Sequence, residues 1–257
     1  EQAFEARLSN GVTYREIAQL NRASGRFDAR RECCWGKLVL SSEPLANTDP
    51  LLIENALLEY VHQQGLGVLA WSDQARQWQA RALFCAPFAD IDAWPDFSDA
   101  GLESSLADWL RPFLQGCKSV ADLKKIDLLG VLRARLDWTQ QQWMARMAPE
   151  ILTVPTGRDV TIDYSADQPV LAIKLQEMFG CPTSPTVAEG RVKVVLHLLS
   201  PAQRTLAVTS DLTSFWQNAY QEIKKDMKGR YPKHYWPDDP LQALPTQFTK
   251  ARMSKQD

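Results

Sequence analysis

The sequence predicts an α+β protein built in three consecutive stretches. A β-rich opening gives way near residue 46 to helical periodicity. Strand-like alternation returns after Pro155 and runs to a last helix followed by a proline-bracketed strap. The segments are read as 1–45, a partial β meander; 46–149, mainly helical; and 150–257, a β-rich segment closed by the helix and strap. Hydrophobic residues make up 45% and charged residues 23% of the 257 positions, so a core of ordinary size can form without metal or disulfide staples.

Residues 13–42 read as strands. "TYREIAQL" runs into the turn signal "NRASG" and then into "RFDARRECCWGKLVL". Alternation sets Phe27, Ala29, Arg31 and Cys33 on one face and Asp28, Arg30, Glu32 and Cys34 on the other, with Arg31 interrupting the more apolar face. Gly36 is read as a bulge, and Pro44 ends the run. A three-stranded meander has an open edge, so it is expected to pack on the helical segment or to pair edge to edge with a second copy.

From Asp49 the period becomes helical. Asp49 is the N-cap, Pro50 the first helical position and Gly65 the end of "DPLLIENALLEYVHQQG". Ser72 caps "DQARQWQARALFCAPF", and "LESSLADWLRPFL" reads as a third helix with Leu102, Leu106, Trp109, Leu110 and Phe113 facing in. "SVADLKKIDLLGVLRARL" and "DWTQQQWMARMAP" are two further helical segments.

Beyond Pro155, Val160, Ile162 and Tyr164 alternate as a strand. "QPVLAIKLQEMFG" begins as a strand and is left open as strand or helical turn at its end. "GRVKVVLHLLSPAQRTLAVT" is a hairpin with Pro201 in its turn. "SDLTSFWQNAYQEIKKDMKG" is a helix capped by Ser210 and closed by Gly229, with Lys224, Lys225 and Lys228 placed well for its dipole. The tail after Pro240 is read as polar and frayed.

The search for chemistry is mostly negative. There is no Gly-x-x-x-x-Gly-Lys-Ser/Thr phosphate loop, no Gly-x-Ser-x-Gly, no His-Glu-x-x-His and no Gly-x-Gly-x-x-Gly. No catalytic residue is assigned, and no carboxylate pair has acid–base spacing. Five scattered cysteines without a Cys-x-x-Cys give no metal site and fit a reducing, cytoplasmic compartment. No apolar run of about 18 residues exists, so no membrane partner is expected. The chain opens on Glu1 in mid-pattern and is read as a piece of a longer protein. His62 and His197 read as structural, and most of the nine tryptophans as buried anchors.

"GRYPKHYWPDDP", residues 229–240, stands apart. With the preceding lysines it holds Lys224, Lys225, Lys228, Arg230 and Lys233 against Asp226 alone before Asp238, beside His234 and Tyr235. Cations interleaved with aromatics can pair phosphates and stack bases; equally, the lysines form a solvated face. Tyr231 and Trp236 read as packing residues. They are expected to reach the core through a turn near Lys233 and His234. A net charge of −2 requires any anionic partner to be held by such a local patch.

Several stretches carry a resemblance. "VPTGRDVTIDYS", "PVLAIKLQEMFG", "GRVKVVLHLLSPAQRTLAVTSDLTSFW", "MKGRYPKHYWPDDP", "GLGVLAW" and "ARRECCWGKLVLSSEPL" resemble the C-terminal region of HrpB-type bacterial DEAH-box ATP-dependent helicases. The resemblance implies that residues 1–45 are the last strands of an OB-fold, with Arg30 and Arg31 near a surface suited to single strands. It further implies that ATP and magnesium bind upstream in the parent protein, where the catalytic motifs lie. The implied partners are RNA or another single-stranded nucleic acid, the upstream helicase domains of the same chain, and possible protein partners. Two roles follow for the region itself: a nucleic-acid-binding appendage without catalysis of its own, or a docking or scaffolding module.

Overall fold

The computed structural model describes residues 11–89 and 94–254. The chain divides into two compact units, one of Glu1–Ala75 with Pro95–Leu136 and the other of Arg76–Trp94 with Asp137–Asp257. Helices and strands mix in both, as the predicted α+β class requires.

In the first unit β1 (Val12–Asn21), β2 (Arg26–Trp35) and β3 (Leu38–Pro44) form an antiparallel meander in that order. Gly36 is not the bulge that the sequence suggested. It sits in the two-residue turn between the paired Trp35 and Leu38 with φ 57°, a conformation that glycine adopts without a Cβ penalty. The bulge lies on β3, where Leu40 is the extra residue between Val39, opposite Cys34, and Ser41, opposite Cys33. The buried face also differs from simple alternation. Phe27 is buried edge-on to Tyr60, with ring centroids 5.8 Å apart, yet farther along Glu32 and Cys34 are the buried residues. Glu32 is tolerated there because Arg15 Nε donates to its carboxylate at 2.9 Å.

The meander packs on α1 (Pro50–Gln64), and among the described residues it closes no barrel. Asp49 Oδ1 accepts from Leu51 N–H at 3.0 Å, and Gly65 at φ 79° ends the helix, as its sequence signals. The expected third helix is broken into α3 (Asp99–Ser104), α4 (Leu106–Leu110) and a 3-10 turn, Arg111–Phe113; α2 (Asp73–Cys85), begun by Ser72, precedes them. Ser104 and Ser105 hydroxyls both donate to the Gly101 carbonyl, a local bond that competes with the helix ladder. The 3-10 turn shifts the phase, so Phe113 is exposed rather than inward. The next segment is likewise two short helices, α5 (Val120–Leu123) and α6 (Leu128–Arg133), because Ser119 and Asp127 each supply a cap.

The second unit contains α7 (Trp138–Met147), opened by a capping box in which Asp137 and Gln140 exchange bonds of 2.8 Å. Trp138, its first residue, is exposed and is no anchor; Trp78, Trp216 and Trp236 are buried. Two short hairpins follow one another along the chain, β4 (Ile151–Thr153) with β5 (Asp159–Thr161) and β7 (Thr186–Val187) with β8 (Val192–Lys193). The main sheet has β9 (Val195–Leu199) at its centre, antiparallel to β10 (Thr205–Thr209) and parallel to β6 (Val170–Lys174). Leu171, Ile173, Leu196 and Leu198 are its buried side chains, at period two. "LQEM", which the sequence left open, is a 3-10 helix at Leu175–Met178.

The last long helical run is interrupted at Ala219 into α8 (Leu212–Asn218) and α9 (Tyr220–Arg230). Asp211, not Ser210, caps it, accepting from Ser214 N–H at 3.0 Å. Gly229 lies within the final turn; the helix stops at Tyr231 because Pro232 excludes the residue before it from helical geometry. The tail is not frayed through 254. Gly180 N–H donates to Pro240 C=O, Thr246 N–H to Gln176 C=O, and α10 (Lys250–Met253) follows.

Candidate nucleic-acid interface

The strap is anchored by aromatics. Tyr220 is fully buried and donates its hydroxyl to the Pro237 carbonyl at 2.9 Å. Burial raises its pKa well above the ordinary phenol value, which keeps it a neutral donor. Trp236 is buried, and its indole N–H reaches the Tyr231 carbonyl at 3.1 Å. A turn makes this reach possible: His234 N–H donates to that same carbonyl at 3.0 Å. The turn expected near Lys233 and His234 is present and brings Trp236 into the core, while Tyr231 stays half-buried with its ring edge-on to His234. Tyr235 packs edge-on against Phe179, with centroids 6.3 Å apart, in a cluster with Trp216 and Tyr220.

The cations of this region meet different fates. Lys224 Nζ donates to Asp238 Oδ1 at 2.6 Å and to Gln221 Oε1 at 3.0 Å, clamping helix to strap. Arg230 pairs with Asp226 one turn earlier, at 3.1 Å. Lys225, Lys228 and Lys233 are exposed and form no ion pair among the described residues. Lys225 and Lys228, three apart on α9, share a helical face. His234 adds no charge near neutrality: burial first, then the neighbouring positive charge of Lys174, holds its pKa below the ordinary imidazole value.

Two further lysines join the strap, and sequence reasoning missed both. Lys250 N–H donates to the Lys233 carbonyl at 2.9 Å, its Nζ reaches the Pro232 carbonyl at 3.2 Å, and His234 bridges Thr249. Lys174 closes β6, 60 residues from His234 in the chain. No local signal marks either one; only tertiary pairing assembles them.

In the other unit, Arg30 and Arg31 are held within the sheet. Arg30 donates to Ser42 Oγ at 2.8 Å and to the Ser42 carbonyl at 2.9 Å, while Arg31 pairs with Glu16 across the strands at 2.7 Å. Arg30 thus keeps its net charge beside a neutral partner, and Arg31 does not. Among the described residues no group of three His, Cys, Asp or Glu side chains is arranged to hold a metal.

Comparison with known proteins fits this architecture to one family. Residues 109–240, just over half of the chain, match the family model described as ATP-dependent helicase C-terminal, HrpB_C. The chain belongs to the HrpB-type helicase C-terminal family. It is 42% identical over 240 residues to the ATP-dependent RNA helicase HrpB of Escherichia coli (strain K12), a match that covers 93% of the chain and 30% of that protein. The structure resembles the crystal structure of the E. coli DExH-box NTPase HrpB with a TM-score of 0.77 and 41% identity, over 96% of this chain and 31% of that one. A second crystal structure, of the Escherichia coli DEAH/RHA helicase HrpB, gives a TM-score of 0.67 and 40% identity, over 88% of this chain and 29% of that one. The HrpB-type resemblance read from the sequence stretches is therefore correct, and the chain spans about 30% of the length of the curated relative it matches.

Proposed function

We propose that this chain is the accessory C-terminal region of an ATP-dependent RNA helicase and assists in holding RNA, without ATPase motifs of its own. ATP and magnesium belong to the upstream part of such a helicase. The observation that carries the RNA role is the set of lysines without ion pairs at the end of α9 and in the strap: Lys225, Lys228 and Lys233 exposed, with Lys250 bound against the strap's turn. Such charges release counterions when they meet phosphates. Fluorescence anisotropy with a labelled single-stranded oligoribonucleotide at two salt concentrations tests it. Lys225→Glu with Lys228→Glu and Lys233→Glu weakens binding and flattens its salt dependence, with roughly 0.7 units of slope lost per phosphate contact. Unchanged affinity leaves the lysines as a solvated face. The chain is also expected to show no ATP turnover, with or without RNA; turnover that survives repurification overturns that part.

A second reading, docking against the rest of the helicase, rests on a different observation. Tyr14, Trp35 and Leu38 share one face of the β1–β3 sheet, by their cross-strand pairing, and all three are exposed. An aromatic and aliphatic cluster of this kind marks a contact surface. Tyr14→Asp with Leu38→Asp abolishes co-elution with a HrpB-type helicase core expressed without this region if the surface docks there; undiminished co-elution rejects it.

A further inference from the structure

We infer that the first unit carries a second, preorganised phosphate-binding cleft that takes the backbone of a single RNA strand, centred on Arg26, Arg30, Arg111 and Lys118. The inference rests on the RNA reading above but concerns a different surface. The cleft has a volume of about 830 Å³ and is walled by the start of β2, the chain after β3, the first turn of α1 and the loop 111–118. Its size falls in the upper part of the range of roughly 300–1,000 Å³ common for ligand sites.

The rim is built rather than incidental. Phe27 N–H donates to the Lys118 carbonyl at 2.9 Å, Val120 N–H donates to the Gly25 carbonyl at 3.0 Å, and Arg26 bridges Ser119. These bonds fasten the 111–118 loop beside the first residues of β2, so Arg26 and Lys118 stand on one rim. Arg30 and Arg111 are oriented by neutral acceptors, Arg30 by Ser42 and Arg111 by Asn55 Oδ1 at 2.8 Å. Their guanidinium groups are thereby aimed without losing charge.

That separates them from the cations that are held in ion pairs. Arg15, Arg31, Lys224 and Arg230 each face a carboxylate within 3.1 Å. Among the described residues, none of the four cleft cations makes an ion pair. Two carboxylates, Asp28 and Glu54, also line the cleft, and Asp28 is engaged by the Asn21 amide at 3.0 Å. Four positive groups against two negative ones leave a net positive cleft on a protein of net charge −2. Planar guanidiniums with free N–H edges match phosphate oxygens in bidentate fashion. A strand of spaced phosphates suits cations distributed along a cleft better than a compact anion does.

The test uses the 257-residue chain, a labelled 12-nucleotide single-stranded oligouridylate, and an unlabelled oligoglutamate of equal charge as competitor. Arg26→Glu with Lys118→Glu is expected to weaken RNA binding at least tenfold and to lower the salt slope by about 1.4, two contacts' worth for a single strand. Arg26→Lys with Lys118→Arg keeps the slope. Both positions are exposed, and an unchanged melting temperature confirms an intact fold. If the wild-type chain binds RNA and the double reversal binds it equally, the cleft is excluded while the RNA reading of the chain stands. If the wild-type chain binds no RNA, both fall. If oligoglutamate displaces the RNA as well as unlabelled oligouridylate does, the cleft is a site for acidic protein segments and the RNA assignment is overturned.

Discussion

Lys224 Nζ lies 2.6 Å from Asp238 Oδ1, so the first lysine of the run holds the strap in place instead of facing a ligand. Only 14% of the Lys224 side chain is exposed, and Gln221 completes the clamp by donating to the Asp238 carbonyl at 2.9 Å. Lys224→Ala is therefore expected to lower the melting temperature with little change in RNA affinity. Lys225→Ala and Lys228→Ala are expected to do the opposite, staying within about 0.5 kcal/mol of wild-type stability. Thermal melts paired with RNA titrations of the three variants check this division.

The same clamp predicts an acid signature. The Lys224 hydrogen bond, more than its charge alone, holds the Asp238 carboxyl below its ordinary pKa. The folded state thus binds its proton at lower pH than the unfolded chain does. The stabilising contribution is complete above the unfolded value of about 3.9 and disappears as pH falls through the lower folded value. Melting curves of wild type and Lys224→Ala should converge as the solution is acidified below pH 4. Curves that stay parallel contradict the clamp.

Arg158 meets Glu177 through two bonds, Nε to Oε2 at 2.9 Å and an Nη to Oε1 at 3.0 Å. The Glu177 side chain is 2% exposed while that of Arg158 is 43% exposed, so the pair is buried on one side only. Arg158→Ala strands a carboxylate inside. Breaking a fully buried pair costs roughly 3–5 kcal/mol, and the exposed arginine reduces this to about 2 kcal/mol through solvent screening. Arg158→Met with Glu177→Leu should recover most of the loss, because no buried charge remains. Urea unfolding of the single and double variants decides; a double variant as unstable as the single one contradicts the argument.

What could be read in advance follows from the range of the interactions. Asp49, Pro50 and Gly65 specify their helix through contacts within a few residues, and the structure follows them. The alternation of β6 and β9 was equally legible, since burial on one face imposes period two. The breaks at Ser105 and Ala219 were not: helical periodicity continues through both, and at Ser105 the competing hydroxyl bonds to the Gly101 carbonyl appear only once the turn forms. The lysine run showed its composition but not its partners, because Asp238 returns to Lys224 only after the strap reverses direction. The tail looked frayed by composition, yet the Gln176 and Lys233 carbonyls supply acceptors that the linear sequence does not reveal.

Trp236 and Tyr220 together fix where that strap runs. Removing a packed tryptophan of this kind costs about 3–5 kcal/mol, so Trp236→Ala should destabilise the chain far more than any lysine substitution. Tyr220→Phe isolates one bond: it leaves the ring in place and deprives the Pro237 carbonyl of its donor, at about 1 kcal/mol. Denaturant titration should rank wild type above Tyr220→Phe and Tyr220→Phe above Trp236→Ala. A Trp236→Ala protein of wild-type stability would mean that the indole is dispensable.

His234 gives the strap a pH dependence near neutrality. Its Nδ1 is buried and meets no partner, Lys174 approaches from β6, and Lys233 and Lys250 stand on the adjoining turn and tail. Burial first, and then the charge of Lys174, disfavours a proton on the imidazole, so its folded pKa lies below the unfolded value of about 6.5. Between the two values the unfolded chain carries a proton that the folded chain does not. Stability is therefore full above about pH 6.5 and falls as pH drops through the folded pKa. The first contacts expected to weaken are those of this junction, the His234–Thr249 bridge and the Lys250 bond to the Lys233 carbonyl. The protection of the Lys250 amide, its exchange rate divided into the intrinsic rate at the same pH, should fall between pH 7.5 and pH 5.5, and His234→Gln should remove that fall. An identical pH response in the His234→Gln protein would assign the effect to another group.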